Sequence, residues 1–217
     1  MTVKHNIHNN NFWLSYQRCL FWEEQKALIV SDLHIGKSGH FRKSGIAVPQ
    51  HVFKEDLQRL FAEIQYYKPQ QLIIVGDLFH SKENKEMDLF VKWRTDLEYV
   101  DVHLIKGNHD ILKNKWYEDA SINVHEHSFC INEFLFTHDA TAPFCEDKDT
   151  TYIFSGHIHP GIIVKGTGRQ SLRFPCYYFG AQYAILPAFS KFTGLALIEP
   201  KRTDTVYAIV DKSVLQL

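Results

Sequence analysis

Eight residues of this chain have the types and positions to do metal chemistry: Asp32, His34, Asp77, Asn108, His109, His138, His157 and His159. They come in short blocks, Asp32-Leu33-His34, Gly76-Asp77, Gly107-Asn108-His109-Asp110 and Gly156-His157-Ile158-His159, with His138 alone. Carboxylate oxygen, amide oxygen and imidazole nitrogen together suit Mn²⁺, Fe²⁺ or Zn²⁺ better than Ca²⁺, and no cysteine stands near to make a structural zinc site. Each block alone is weak, since a strand-terminal Asp often caps a turn and Gly-Asn is a good turn pair. The His-Asp after Gly107-Asn108 is required by no turn, and an extended Gly156 block would put two imidazoles on one side. Their joint occurrence points to a metal site. Asp77, after a glycine that lets the backbone turn sharply, is the expected carboxylate bridge between two ions.

Those blocks need elements that end together. Ala27 to Val30, Leu72 to Val75 and Val102 to Ile105 are continuous apolar runs, as in strands covered on both faces, and each ends in one of the blocks. In open α/β sheets ligands bind beyond the carboxyl ends of strands, so the repetition predicts a single rim. Pro49 opens an amphipathic segment with Val52, Leu57, Leu60, Phe61 and Ile64 near helical spacing, a helix of about four turns. A shorter helix is expected from about Glu83 to Arg94. Earlier, short β-rich runs fill Phe12 to Ser31. From Ile122 onward strand-like runs dominate: a Ser128–His138 hairpin turning near Asn132-Glu133, then Tyr152–Ser155, Leu172–Phe179, Leu195–Ile198 and Val206–Val210. Two sheets face to face with outer helices fit this order, in one domain spanning residues 1–217.

Composition narrows the class. With 217 residues, 45% apolar, 16 Phe and 10 Tyr, the chain can bury a real core. Its 24 Lys+Arg nearly balance 25 Asp+Glu, so no global field collects nucleic acid, and any such binding must be local. Cys19, Cys130, Cys145 and Cys176 form no CxxC pair and read as reduced thiols. The polar N-terminus and the lack of a long apolar stretch predict a cytoplasmic protein without a membrane anchor.

The ordered blocks resemble the signature of the calcineurin-like metallophosphoesterases, DxH, GD, GNHD, a lone His and GHxH, over Asp32 to His159. The resemblance implies an α/β fold, a four-layer α/β/β/α sandwich with two mixed sheets. It implies one ion held by Asp32, His34, Asp77 and His159, and the other by Asp77, Asn108, His138 and His157. The ions would be divalent, with Mn²⁺ expected and Fe²⁺, Zn²⁺ or Mg²⁺ as other candidates. Two such ions lower the pKa of a water between them, which can then attack phosphorus in line. His109 becomes the non-ligand histidine that protonates the leaving group. His80, where protein phosphatases of the superfamily carry a carboxylate, positions a phosphate oxygen, holds His109 in register, or is structural.

The flanks are similar to a bacterial ligase-associated DNA-damage-response endonuclease subfamily. That similarity rests on the Asp32–Lys37 run, His40-Phe41-Arg42-Lys43, Gly45 to Pro49, Phe174-Pro175-Cys176, Leu186–Phe189 and Phe192-Thr193-Gly194. It implies DNA as substrate and association with a DNA ligase and repair enzymes. Lys37, His40, Arg42 and Lys43 are the expected substrate-binding residues, basic side chains for flanking phosphates with aromatics between them. Lys165, Arg169 and Arg173 form a second basic stretch. No cap or long insertion closes the site, which favours an extended substrate. The alternatives are a phosphatase or phosphodiesterase for nucleotides and other small phosphoesters, and a metal-free scaffold, which would have lost ligands that this chain keeps.

Overall fold

The computed structural model describes residues 2–37, 51–80, 85–141, 152–166 and 170–217. The first sheet holds β1 (Val3–Ile7), β2 (Asn10–Leu14), β3 (Leu20–Trp22), β4 (Ala27–Val30), β5 (Gln71–Val75), β6 (Asp101–Ile105) and β7 (Ile122–His125), in sequence order. β1 to β4 pair antiparallel and β4 to β7 parallel. The parallel connections carry α1 (His51–Tyr67), α2 (Lys85–Thr95) and α3 (Asn114–Asp119). Apolar runs such as Leu28-Ile29-Val30 and Leu72-Ile73-Ile74-Val75 are buried on both faces, the pattern of a parallel sheet with covers on either side.

The second sheet is also mixed. Its path is β14 (Ala196–Leu197), β11 (Pro160–Lys165), β12 (Ser171–Phe179), β13 (Tyr183–Ile185), β10 (Tyr152–Ser155), β9 (Phe134–Thr137) and β8 (Ser128–Ile131), with β15 (Thr205–Val210) beside β12 and β16 (Ser213–Gln216) beside β15. The expected 128–138 hairpin forms, with Asn132 at φ 52° in its turn.

Burial separates three apolar clusters. One face of the first sheet packs Leu28, Leu72 and Leu104 against Leu60, Ile64, Phe90 and Tyr117 from the helices. Its other face sends Ile29, Ile73 and Ile105 against Phe134, Phe136, Phe154 and Tyr177 of the second sheet. Phe12, Trp22 and Phe134 interlock there with ring centroids 4.9 to 5.4 Å apart, each such side chain contributing roughly 1.5–3 kcal/mol by burial. A smaller cluster around Ile162, Cys176 and Ala208 lies on the second sheet's far face. The two mixed sheets of an α/β sandwich are those expected, and among the described residues the helices pack on the first sheet. Phe61 departs: it is 39% exposed, because α1 turns only the Leu57, Leu60 and Ile64 stripe to the core. β1, β11, β13, β16 and α3 are additions to the expected elements. No described helix is long and apolar enough to cross a membrane, and the described cysteines form no disulfide.

Candidate metal centre

The strand registers bring the donor blocks to one rim. β4, β5 and β6 run parallel with Val30 beside Ile74 and Val75 beside Ile105, so their carboxyl ends align. In the second sheet Thr137 and Ser155 stand side by side, which sets His138 next to the 156–159 loop. Backbone bonds continue past the strands: Asp32 N–H to Gly76 O at 3.1 Å, His34 N–H to Asp77 O at 2.8 Å and Gly156 N–H to His138 O at 3.1 Å.

Asp32, His34, Asp77, His157 and His159 all have left-handed backbones, with φ of 54°, 50°, 50°, 67° and 54°. Such conformations are strained in non-glycine residues and persist only where the surroundings impose them. The glycines in these loops permit the close approach. A Cβ on Gly76 would fall on the His138 ring, one on Gly107 on Asp77 Oδ1, and one on Gly156 on Ser31 Oγ.

Each carboxylate has one oxygen tied down and the other facing imidazoles. Asp32 Oδ2 accepts from Ser31 Oγ at 2.5 Å and from His157 N–H at 3.1 Å. Its Oδ1 is buried without a hydrogen bond, 3.2 Å from His159 Nε2 and 3.9 Å from His34 Nε2. Asp77 Oδ1 accepts the His109 N–H at 2.9 Å, while its Oδ2 stands 3.9 Å from His34 Nδ1 and 3.5 Å from His138 Nε2. His34 and His159 meet Nε2 to Nε2 at 3.2 Å.

On the other side, His138 Nδ1 donates to Val75 O at 3.2 Å, so that in the neutral imidazole Nε2 carries the lone pair. That lone pair faces Asn108 Oδ1 at 3.2 Å, His157 Nδ1 at 3.1 Å and Asp77 Oδ2. Electron-rich atoms converging this way repel unless a cation lies among them. Their spacing suits one: ligands about 2.0–2.2 Å from a metal lie roughly 3 Å from each other. The residues therefore fit divalent metal, and two groups, Asp32-His34-His159 and Asp32-Asp77-His138, each bring donor atoms within 4.8 Å of one another.

The electrostatics agree with this reading. Burial pulls the His34 imidazole down to about 2, against the pull of Asp32, so it is a neutral donor. Burial raises Asp32, but the nearness of His159 and His138 and the Ser31 hydroxyl bring it below the usual carboxylate range. Asp77 is raised by burial, only partly offset by His138 and the His109 N–H.

His157 and His159 lie in left-handed rather than extended backbone, and they meet different partners. His157 stands against His138, and His159 against Asp32 and His34. His80 lies with its ring 4.3 Å from that of His109, tilted by 37°, and both flank His34. Lys37 is half-buried near Asp32 and Asp77; burial lowers its pKa and the two carboxylates oppose this. His40, Arg42, Lys43, Arg169 and Cys145 lie outside the described residues. Asn108 and His157 are exposed, and beside them opens a cleft of about 320 Å³ lined also by Lys106, Glu126, His127 and Asp139.

Two further residues hold this geometry. Asp110, almost fully buried, accepts the N–H groups of Gly107 at 2.9 Å, Phe79 at 3.0 Å and Leu78 at 3.3 Å, tying two donor loops together. Burial nonetheless raises its pKa to about 6. The Ser31 hydroxyl, with a single proton to donate, lies between Asp32 Oδ2 at 2.5 Å and, at 2.8 Å, the Val75 carbonyl that orients His138. Asp110 was visible as a carboxylate that no turn needs; Ser31 gave no sequence signal.

No protein with a curated description matches the sequence. In fold the chain is similar to the nuclease MPE of Pseudomonas putida, at a TM-score of 0.82 and 24% identity over 100% of both chains. Similarity to the phosphoesterase YfcE of E. coli is weaker, with a TM-score of 0.45 and 13% identity over 88% of this chain and 97% of that one. The calcineurin-like phosphoesterase profile matches residues 26–135, just over half of the 217, and takes in the Asp32, Asp77 and Asn108 blocks. The chain belongs to the calcineurin-like phosphoesterases, hydrolases that act on phosphoester bonds.

Proposed function

We propose that the protein is a two-metal nuclease, a DNA phosphodiesterase of the cytoplasm that serves DNA repair. The observation that carries the two-metal part is the position of Asp77 Oδ2, an oxygen that stands 3.9 Å from His34 Nδ1 and 3.5 Å from His138 Nε2. In this reading Asp32, His34, Asp77 and His159 hold one ion, and Asp77, Asn108, His138 and His157 the other, with Mn²⁺ the expected metal. Bound there, such ions supply an ionised water and neutralise charge on a phosphoryl group.

The chain's own residues do the rest. Asp110 and Ser31 hold the donor loops in register, and the His109 N–H keeps Asp77 Oδ1 turned away from the centre. The His109 imidazole, against His80, gives a proton to the departing oxygen. His80 is a positioning residue, whose ring limits how far that of His109 can turn. Lys37 adds positive charge for the substrate. Exposed Asn108 and His157 leave the centre open to a chain longer than a single nucleotide, and the same fold serves a nuclease in Pseudomonas putida.

The test is the Mn²⁺-loaded protein against bis-p-nitrophenyl phosphate, p-nitrophenyl phosphate, cyclic nucleotides, and single- and double-stranded DNA. Cleavage of DNA and the diester, with little monoester turnover, is expected. Activity on monoesters or cyclic nucleotides with DNA left intact would replace this reading by a small-phosphoester hydrolase.

A further inference from the structure

The rim that carries the donor loops also carries a basic cavity. β3 is antiparallel to β4 with Leu20 beside Ile29, so the turn before Leu20 lies at the same end of the sheet as Asp32. In the second sheet β13 is parallel to β10, β12 is antiparallel to β13, and β15 is antiparallel to β12. The start of β12 and the turn after β15 therefore reach the end where Ser155 leads into the 156–159 loop. Between these segments is a cavity of about 640 Å³, lined by Arg18, Arg59, Lys191 and Lys212 with Asp211 as the one acid.

Two of the cations are built in. Arg18 Nη1 donates to the carbonyls of Ala188 at 3.2 Å and Ser190 at 2.9 Å. Arg59 is buried over the Phe189 ring at 4.2 Å and donates to Gln17 O at 3.0 Å, Phe189 O at 2.5 Å and Asp56 Oδ1 at 2.7 Å. Asp56 thus neutralises one guanidinium, and among the described residues neither Arg18 nor Lys191 makes an ion pair. Burial, and then the charge of Arg59, pull Arg18 down to about 10, so it remains a cation in neutral solution. Four cations therefore stand against the carboxylates of Asp56 and Asp211, an excess of positive charge that a bound anion would balance.

The cavity also lies close to the metal centre. Ser190 N–H donates to Asp32 O at 3.2 Å while Ser190 O accepts from Arg18, which keeps that guanidinium within about 10 Å of the Asp32 backbone. Arg173, exposed on β12, shares the face of Pro175, which lines the cavity, and so extends the basic surface outward.

We propose that this cavity is a phosphate subsite, which holds a nucleic-acid phosphodiester flanking the one that is cut. Arg18 and Arg59 set its potential, and Lys191, Lys212 and Arg173 contact the strand. The inference rests on the nuclease reading above.

The test compares wild type with the combined Lys191→Ala, Lys212→Ala and Arg173→Ala variant, both loaded with Mn²⁺. A fluorescein-labelled single-stranded oligonucleotide reports binding by anisotropy, in a His109→Asn background that holds turnover down. Bis-p-nitrophenyl phosphate, which has no flanking phosphate, reports the metal centre separately. The variant is expected to bind the oligonucleotide more weakly, with a log–log salt slope shallower by about 0.7 for each cation removed, and to keep its rate on the small diester. Equal oligonucleotide affinity and slope in both proteins would overturn the subsite and leave the nuclease reading in place. Loss of small-diester hydrolysis in the variant would make the cavity a support for the donor loops instead. If the wild type hydrolyses small esters but neither binds nor cuts the oligonucleotide, both proposals fall.

Discussion

Replacing Gly107 by alanine tests whether the donor loops are held as tightly as the structure requires. The new Cβ would meet Asp77 Oδ1 first and the Asp77 backbone nitrogen next, both well inside van der Waals contact. Neither yields freely, because Oδ1 accepts the His109 N–H at 2.9 Å and the Asp77 carbonyl accepts from His34 at 2.8 Å. Carbon contacts are optimal at about 3.5–4.0 Å, so the two loops have to part by more than about 1 Å. Overpacking of this kind costs about 1–3 kcal/mol, and for a chain of this length each kcal/mol lowers Tm by about 2–4 °C. A displacement of that size at a reacting centre costs about 10²-fold in rate. The expected signature is therefore a modest loss in Tm with a large loss in turnover and in metal retained after dialysis. Gly194→Ala is the control, since nothing lies within 4 Å of its Cβ; it should stay within about 0.5 kcal/mol of wild type. A Gly107→Ala protein with wild-type metal content and rate would refute the argument that Asp77 is pinned.

Three further outcomes follow from named contacts. Asp77→Asn should release metal on dialysis and abolish turnover, because a neutral amide attracts neither ion; an active mutant that retains two ions would remove Asp77 from the bridge. His109→Asn should keep its metal yet lose about 10²–10⁴-fold on substrates with poor leaving groups, and much less on nitrophenyl esters, whose leaving group needs no proton. Equal losses on both would assign His109 to phosphate or metal positioning. Asp110→Asn puts an NH₂ where a carboxylate oxygen now accepts backbone N–H groups; at about 1–3 kcal/mol per unsatisfied group, urea unfolding should show a clear drop in stability. An unchanged midpoint would mean that the loops are joined by other contacts.

The rim was legible because its parts are local: an apolar run, then a polar block, repeated at Val30, Val75 and Ile105. The 128–138 hairpin and the Leu57–Ile64 stripe were readable for the same reason. What escaped was set by tertiary context. β1 is held by backbone pairing with β2, and its Val-Lys-His-Asn-Ile sequence shows little of the usual apolar bias. The 114–119 helix is too short for periodicity to register. The separate partners of His157 and His159 depend on left-handed backbones that periodicity does not reveal. The cavity gathers residues 18, 59, 191 and 212, which no window along the chain would bring together.

Each donor group is split between the two sheets. Asp32, His34, Asp77 and Asn108 follow strands of the first sheet, while His138, His157 and His159 follow strands of the second. The first sheet is strictly sequential and ends at His125, so the ribosome has delivered all of its strands before any of the second appears. A cation captured by both halves acts as a rivet across their seam, and its binding energy becomes resistance to the halves parting. By mass action, free metal at 100 times its dissociation constant adds about 2.7 kcal/mol per site. Chelation should accordingly open the seam to proteases before it melts either sheet, with the first cuts at the connection between β7 and β8.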